Sequence, residues 1–310
     1  MQLTSRQVKL MGTTIDTRIY HNNPQPILAE VETLLRDYEQ RFSANKETSE
    51  LMQINRAAGQ EPVSVSSDLY ELIKIGKNHS LVAGSHLNIA IGPLIQTWRI
   101  GFKDAKLPSP EEIQALLNII NPADILLNDE DKSVYLAKTG MKIDLGALAK
   151  GYIADRIVAF LKSAQVISGL INLGGNVLTF GPALHNPDLR WRIGIQDPRK
   201  PRGHNLSILS IANQSVVTSG IYERIFTYDG ETYHHIFDSH TGYPVDCETA
   251  SLTIVSDLSL DGEIWTTRLF GKSPNDILSE IQGEKGLEAL IISKNSQLIA
   301  SPSLEKIRFV

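Results

Sequence analysis

The sequence predicts an α+β fold of mainly antiparallel or mixed sheets flanked by helices. Three observations lead there. Apolar residues recur three and four apart through much of the first third, the spacing of amphipathic helices. From about residue 125 the apolar runs become short, rich in β-branched residues and bounded by turn residues. The pair Asp229-Gly230, set between two such runs, is a strong signal for a tight antiparallel hairpin. Helices lead and strands follow, unlike the steady alternation of a parallel α/β sheet.

Taken in order, residues 6–20 read as a strand. "ILAEVETLLRDYEQRF" (27–42) reads as a helix after Pro26. "SELMQINRAAG" is a short helix stopped by Gly59, and "SSDLYELIKIGKNHSLVAG" a longer one opened by a Ser cap and ended at Gly84. "GPLIQTWRIG" precedes a Pro-rich loop near Pro108, too short for a domain linker, and "PEEIQALLNII" is a short helix. "DILLND" and "SVYLAK" form a hairpin across an acidic turn. "KIDL" reads as a strand, and Leu148 to Gln165 as a helix. Strand-like runs follow in "LINLGGNVLTFG", "WRIGIQD", "LSILSIANQSVVTSG", "RIFTYDGETYHHIFD" and "SLTIVS". A helix from about 261, a second at 274–282 and two strands close the chain.

Composition narrows the function classes. The chain of 310 residues suits one large domain or two ordinary ones. Its net charge is -5 and it has no Lys/Arg run, which disfavours a nucleic-acid footprint. Cys247 is the only cysteine, so no disulfide forms within the chain. No stretch approaches ~18 consecutive apolar residues, so no membrane span is expected. The first residues show neither a signal-peptide core nor a cysteine to lipidate, and the expectation is a cytoplasmic protein.

Four stretches carry chemistry. "KIDLGALAKGYIADRI" runs from a one-aspartate apolar segment through a glycine-bearing loop into a helix. It matches neither a Walker loop nor a dinucleotide fingerprint. Even so, a helix start favours anions, Lys150 could neutralise a phosphate, and Asp144 could accept hydrogen bonds from a ligand. On spacing alone, an ordinary turn with an exposed lysine is the stronger reading. Gly174 and Gly175 in "INLGGNV" imply a bulge or a close backbone approach. "YHHIFDSHTGYPVD" is the densest polar cluster; its spacing is poor for a metal, so a single general-base histidine fits better. On a strand, His234 and His235 point to opposite faces. In "LDGEIWTTRLFG", Glu263 and Thr267 share a helix face and could ligate a hard cation. The plainer reading makes Asp261 the helix cap and Glu263 a first-turn acid.

In sequence these pieces resemble the FAD:protein FMN transferases, the ApbE family. "LMGTTIDTRIY", "RFSANKETSELMQINRAAG", "GPLIQTW", "KIDLGALAKGYIAD", "INLGGNV", "VVTSGIYER", "HHIFDSHTGYP" and "TTRLFG" follow in family order across most of the chain. The resemblance implies one catalytic domain over 1–310, or two lobes of it with FAD bound between them. It implies Mg2+ held by the Ala147 carbonyl, Glu263 and Thr267. It places Met11, Leu87, Asn88, Asp144, Lys150 and Ile236 beside FAD and makes His235 the base. The implied reaction transfers FMN from FAD to a Thr or Ser hydroxyl of an acceptor flavoprotein and releases AMP. Two alternatives stay open, an FAD pyrophosphatase and a non-catalytic flavin-binding protein. Three positions depart from the family pattern: Glu263 stands for an aspartate, "HLNIA" for "FDPT", and "SANK" where relatives often carry an aromatic.

Overall fold

A computed structural model describes residues 2–305, 308 and 309. The N-terminal segment is a hairpin, in place of the single strand expected over 6–20. Strand β1 (Leu3–Leu10) pairs antiparallel with β2 (Thr13–Tyr20). Met11 and Gly12 form the turn with φ 53° and 70°, both positive as a type I′ loop requires. The Met11 N–H donates to Glu39 Oε1 at 2.7 Å. Met is an unusual turn residue, which is why the sequence hid this turn.

Helix α1 (Pro24–Phe42) has Pro24 and Pro26 in its first turn, where no N–H is needed, and buries Leu28, Val31, Leu35, Tyr38 and Phe42 on one stripe. Next come α2 (Glu50–Arg56), β3 (Val63–Ser64) and α3 (Ser67–Ser80). Ser66 precedes α3 but does not cap it; its hydroxyl donates to Glu50 Oε2 at 2.8 Å. Then follow α4 (Gly92–Trp98) and α5 (Pro110–Leu117), the latter opened by a Ser109–Glu112 capping box. The acidic hairpin is β4 (Ile125–Asn128) with β5 (Ser133–Leu136). "KIDL" is not a regular strand. It is extended, with one parallel bridge between Lys142 and Ile91 and an Asp144 N–H donated to the Ile89 carbonyl at 2.9 Å.

The second half begins with α6 (Ala149–Ser163), β6 (Ser168–Leu173) and β7 (Asn176–Phe180). Gly174 and Gly175 make the β6–β7 turn, and a Cβ on Gly174 would lie 2.3 Å from Thr13 Oγ1. Strands β8 (Trp191–Gln196), β9 (Asn205–Ile211), β10 (Ser215–Gly220), β11 (Ile225–Tyr228), β12 (Glu231–His234) and β13 (Thr249–Ser256) follow. The chain closes with α7 (Ser259–Leu269), α8 (Pro274–Gln282), β14 (Glu288–Ser293), β15 (Leu298–Ala300), α9 (Pro302–Glu305) and β16 (Arg308–Phe309).

The central sheet has eight strands in the order β1-β2-β6-β7-β10-β13-β14-β15, each ladder antiparallel. Smaller sheets are β16-β9-β8 and β3-β5-β4, and β11-β12 is a separate ribbon. The period-2 alternation divides β6 between two cores. Ile171 and Leu173 join a core with α1, α3 and α6, while Leu170 joins Trp191, Ile193 and Leu209. All eight residues of β13 are buried, as expected for a strand covered on both faces.

Helices α6 and α7 meet at Gly151. A Cβ there would lie 2.6 Å from the Ser259 carbonyl and 2.8 Å from Glu263 Cγ. The glycine after Lys150 is therefore required by helix packing. One turn on, the Asp155 carboxylate accepts the Ser259 and Leu260 N–H groups at 2.8 and 2.9 Å. Asp155 thus caps α7 from a neighbouring helix, the role expected of Asp261, which instead lies inside the first turn. Replacing Gly151 by Ala should force the helices apart and lower stability by about 1–3 kcal/mol. Denaturant unfolding reads this, and an unchanged midpoint would contradict the contact.

Candidate functional site

The site begins where the extended segment turns into α6. Asp144 Oδ1 accepts the Gly146 N–H at 2.8 Å and tightens the turn. The Leu148 and Ala149 N–H groups return to the Leu145 carbonyl. The Ala147 carbonyl accepts no hydrogen bond among the described residues. No side chain caps α6 at Leu148, so its start presents N–H groups to an anion. Burial pushes the Asp144 carboxyl up from its ordinary range, opposed by the Gly146 N–H and the Arg224 charge.

Lys150 turns from this helix start onto α7. Its Nζ lies 2.6 Å from Glu263 Oε1, with side-chain exposures of 30% and 5%. Asn176 of β7 donates to the same oxygen at 2.9 Å, and its own carbonyl accepts the Ser259 hydroxyl. Glu263 Oε2 has no hydrogen-bond partner among the described residues. Thr267 lies one turn along α7, and its hydroxyl is likewise unpartnered among the described residues; the Thr266 hydroxyl turns back to the Glu263 carbonyl at 3.1 Å. Among the described residues no group of three or more His, Cys, Asp or Glu could hold a metal. An ion here would use one carboxylate, one hydroxyl and one carbonyl. That all-oxygen set fits Mg2+, which keeps several waters and takes phosphate oxygens readily.

The second part of the candidate site is the polar stretch after β12. That strand ends at His234, so the strict alternation stops before His235. His234 Nε2 donates to the Val245 carbonyl at 3.0 Å, while its Nδ1 accepts the Ile236 N–H at 3.3 Å. Both nitrogens are committed to the loop. His235 differs: its Nδ1 is buried without a partner. Burial first, then the Arg224 guanidinium, His234 and Lys150, push its pKa down to about 4, against the pull of the Arg224 backbone carbonyl. The ring is therefore neutral at pH 7, with Nδ1 open but its basicity depressed.

Trp98 anchors this stretch. Fully buried, it packs against Tyr233, Phe237 and Tyr243 at centroid distances of 5.3, 5.7 and 5.7 Å. Its Nε1 donates to the Gly242 carbonyl at 3.0 Å. Tyr233 and Phe237 flank His235 by two residues on either side, so one indole fixes both ends of the segment.

Asp144, Ala147 and Lys150 thus lie at the α6 start, Glu263 is joined to it through Lys150 with Thr267 one turn further along α7, and His235 is within electrostatic reach of Lys150. The other expected residues lie as follows. Met11 holds its hairpin turn. Leu87 is buried in the core. Asn88 donates to the Ile120 carbonyl at 2.9 Å and accepts the Ala90 N–H at 2.8 Å, and it borders a cleft of about 300 Å³ with Ser80, Gly84, Asn121 and His240. Ile236 packs on the core of β13 and α7. Sequence reasoning missed Asn176, Trp98 and Arg224. Asn176 directly follows the glycine pair, a clue that the loop itself holds something in place.

A family model described as the ApbE family matches residues 11–291. The chain is 41% identical to an FAD:protein FMN transferase of Klebsiella pneumoniae (strain 342), over 97% of this chain and 92% of that one. It is 33% identical to an FAD:protein FMN transferase of Treponema pallidum (strain Nichols), over 97% of this chain and 87% of that one. The crystal structure of an ApbE protein from Thermotoga maritima superposes with a TM-score of 0.90 at 27% identity, covering 99% of each chain. A flavin transferase ApbE from Vibrio cholerae shares the fold, with a TM-score of 0.86 at 22% identity over 99% of each chain.

Two tests follow from the geometry. Lys150→Met leaves a buried carboxylate without its cation and should cost about 3–5 kcal/mol. Glu263→Gln should cost less, because Lys150 can swing to water; equal losses in denaturant unfolding would contradict the assigned burial. For His235, the folded value of about 4 lies below the ~6.5 of an unfolded imidazole. The unfolded chain therefore protonates first, and this group's contribution to stability falls as pH drops from about 6.5 towards 4. An NMR titration assigned with His235→Gln should find the ring neutral at pH 5.5; a charged ring there would refute the placement.

Proposed function

The chain belongs to the ApbE family, and we propose that it is an FAD:protein FMN transferase. In this reading it moves FMN from FAD to a Thr or Ser hydroxyl of an acceptor flavoprotein and releases AMP. The observation that carries it is His235, neutral and with its buried Nδ1 unpartnered, within electrostatic reach of Lys150 at the uncapped start of α6. The whole chain acts as one catalytic domain, with FAD between two lobes. The cytoplasm is the expected compartment, and cell fractionation reads it.

The FAD pyrophosphate rests at the start of α6, where N–H groups and Lys150 favour negative charge. Asp144 accepts hydrogen bonds from the nucleotide. Glu263 keeps Lys150 on one oxygen and leaves the other for a second cation. Mg2+ bound by the Ala147 carbonyl, Glu263 and Thr267 would supply charge neutralisation on the pyrophosphate. The acceptor hydroxyl gives its proton to His235 as its oxygen forms a bond to the FMN phosphorus. The bond from that phosphorus to the bridging oxygen breaks, and AMP leaves with the electron pair. Anionic phosphate near His235 offsets the cations that depress its basicity, and so raises its pKa towards the working range. Positioning and charge stabilisation carry most of such a transfer.

The test uses the protein with FAD, Mg2+ and a peptide bearing an Asp-x-x-Thr acceptor, read by intact mass and free nucleotides. The expected product is a peptide heavier by FMN minus water, with AMP released. His235→Ala should still bind FAD and turn over at least about 100-fold more slowly. AMP with free FMN and an unmodified peptide would replace the transferase with a hydrolase. Unchanged turnover in His235→Ala would remove His235 as the base.

A further inference from the structure

One strong charge in the site has no task in the scheme above. Arg224 lies in the loop from β10 to β11, and its stem rests on Gly101: a Cβ there would be 3.0 Å from Arg224 Cδ and 3.3 Å from Cγ. Gly101 also has φ +92°, a conformation that favours glycine. The packing therefore sets the direction of an exposed arginine. Its guanidinium makes no hydrogen bond and no ion pair among the described residues. The acid beside it, Glu223, is already paired with Arg202 at 2.5 Å. Lys150, the other cation of the site, is on Glu263. The antiparallel ribbon pairs Ile225 with His234, so Arg224 and His235 stand across from each other at its end. The Arg224 charge also bears on Asp144, on the loop before α6.

A cation beside a proton acceptor works against that acceptor until an anion arrives. A planar fork of N–H donors is suited to two oxygens of a phosphate. We propose that the Arg224 guanidinium contacts the FAD pyrophosphate directly, taking non-bridging oxygen on the flavin side, next to His235. This rests on the FAD-binding part of the reading above, and it adds a substrate-contacting residue to the site.

The test compares wild type, Arg224→Ala and Arg224→Lys by calorimetry with three probes: FAD, ADP as a flavin-free pyrophosphate, and riboflavin as a phosphate-free flavin. Arg224→Ala should weaken FAD and ADP by roughly 10- to 100-fold, the loss of a charged hydrogen bond, and leave riboflavin unchanged. Arg224→Lys should recover part of the loss, since it keeps the charge without the fork. FAD affinity unchanged in Arg224→Ala would overturn the proposal. So would a riboflavin loss matching the FAD loss, which marks a structural role. A wild type that binds FAD through Arg224 yet modifies no acceptor would sink the transferase reading and leave this contact standing. A wild type that does not bind FAD would sink both.

Discussion

The buried contact of Lys150 and Asn176 with one oxygen of Glu263 is the constraint on which the site depends. It ties the start of α6, the body of α7 and the first residue of β7 to a single point. A carboxylate so deeply buried is tolerated only when compensated. Such a pair is a weak source of net stability but a strong fixer of geometry, because alternative packings leave the charge alone. Gly151 lets the two helices come close enough for it, and Asp155 holds the α7 start in register. The Ala147 carbonyl, the Thr267 hydroxyl and the second Glu263 oxygen are left over by this arrangement, unpartnered among the described residues.

The polar stretch after β12 depends on a separate device. Trp98 comes from the first third of the chain and grips residues 233–243. Two-stranded ribbons are marginal on their own, so β11-β12 and the loop after it rely on this buried indole for their position. The adjacent histidines differ: His234 holds the loop through both ring nitrogens, and His235 keeps Nδ1 without a partner among the described residues.

Much of this was legible in the sequence. The Asp229-Gly230 hairpin, the capping-box helix after Ser109 and the helix at 274–282 follow from local signals that tertiary context did not override. The Met11 turn was not legible, since its positive φ is sustained by an N–H bond to Glu39, far off in sequence. "KIDL" has strand composition but, among the described residues, finds only one bridge partner, so it stays extended without a ladder. Asp261 has the right local chemistry for a cap, yet Asp155 arrives from another helix and takes the N–H groups first. In the site, the local chemistry of Lys150, Glu263 and Thr267 is readable but favours the plainer turn and first-turn readings, and it is the resemblance to the family that singles out these residues and His235. Asn176, Trp98 and Arg224 act through contacts with residues remote in the chain, which no local spacing encodes.

The central claim is that a pyrophosphate sits between the α6 start and His235. The most direct measurement is a crystal structure of the protein with FAD and Mg2+. The expected result is phosphate density at the Ala147–Gly151 turn, with a metal peak among the Ala147 carbonyl, Glu263 and Thr267, and His235 facing the FMN phosphorus. Flavin density elsewhere, with the Lys150–Glu263 pair undisturbed and His235 remote from any phosphate, would contradict it.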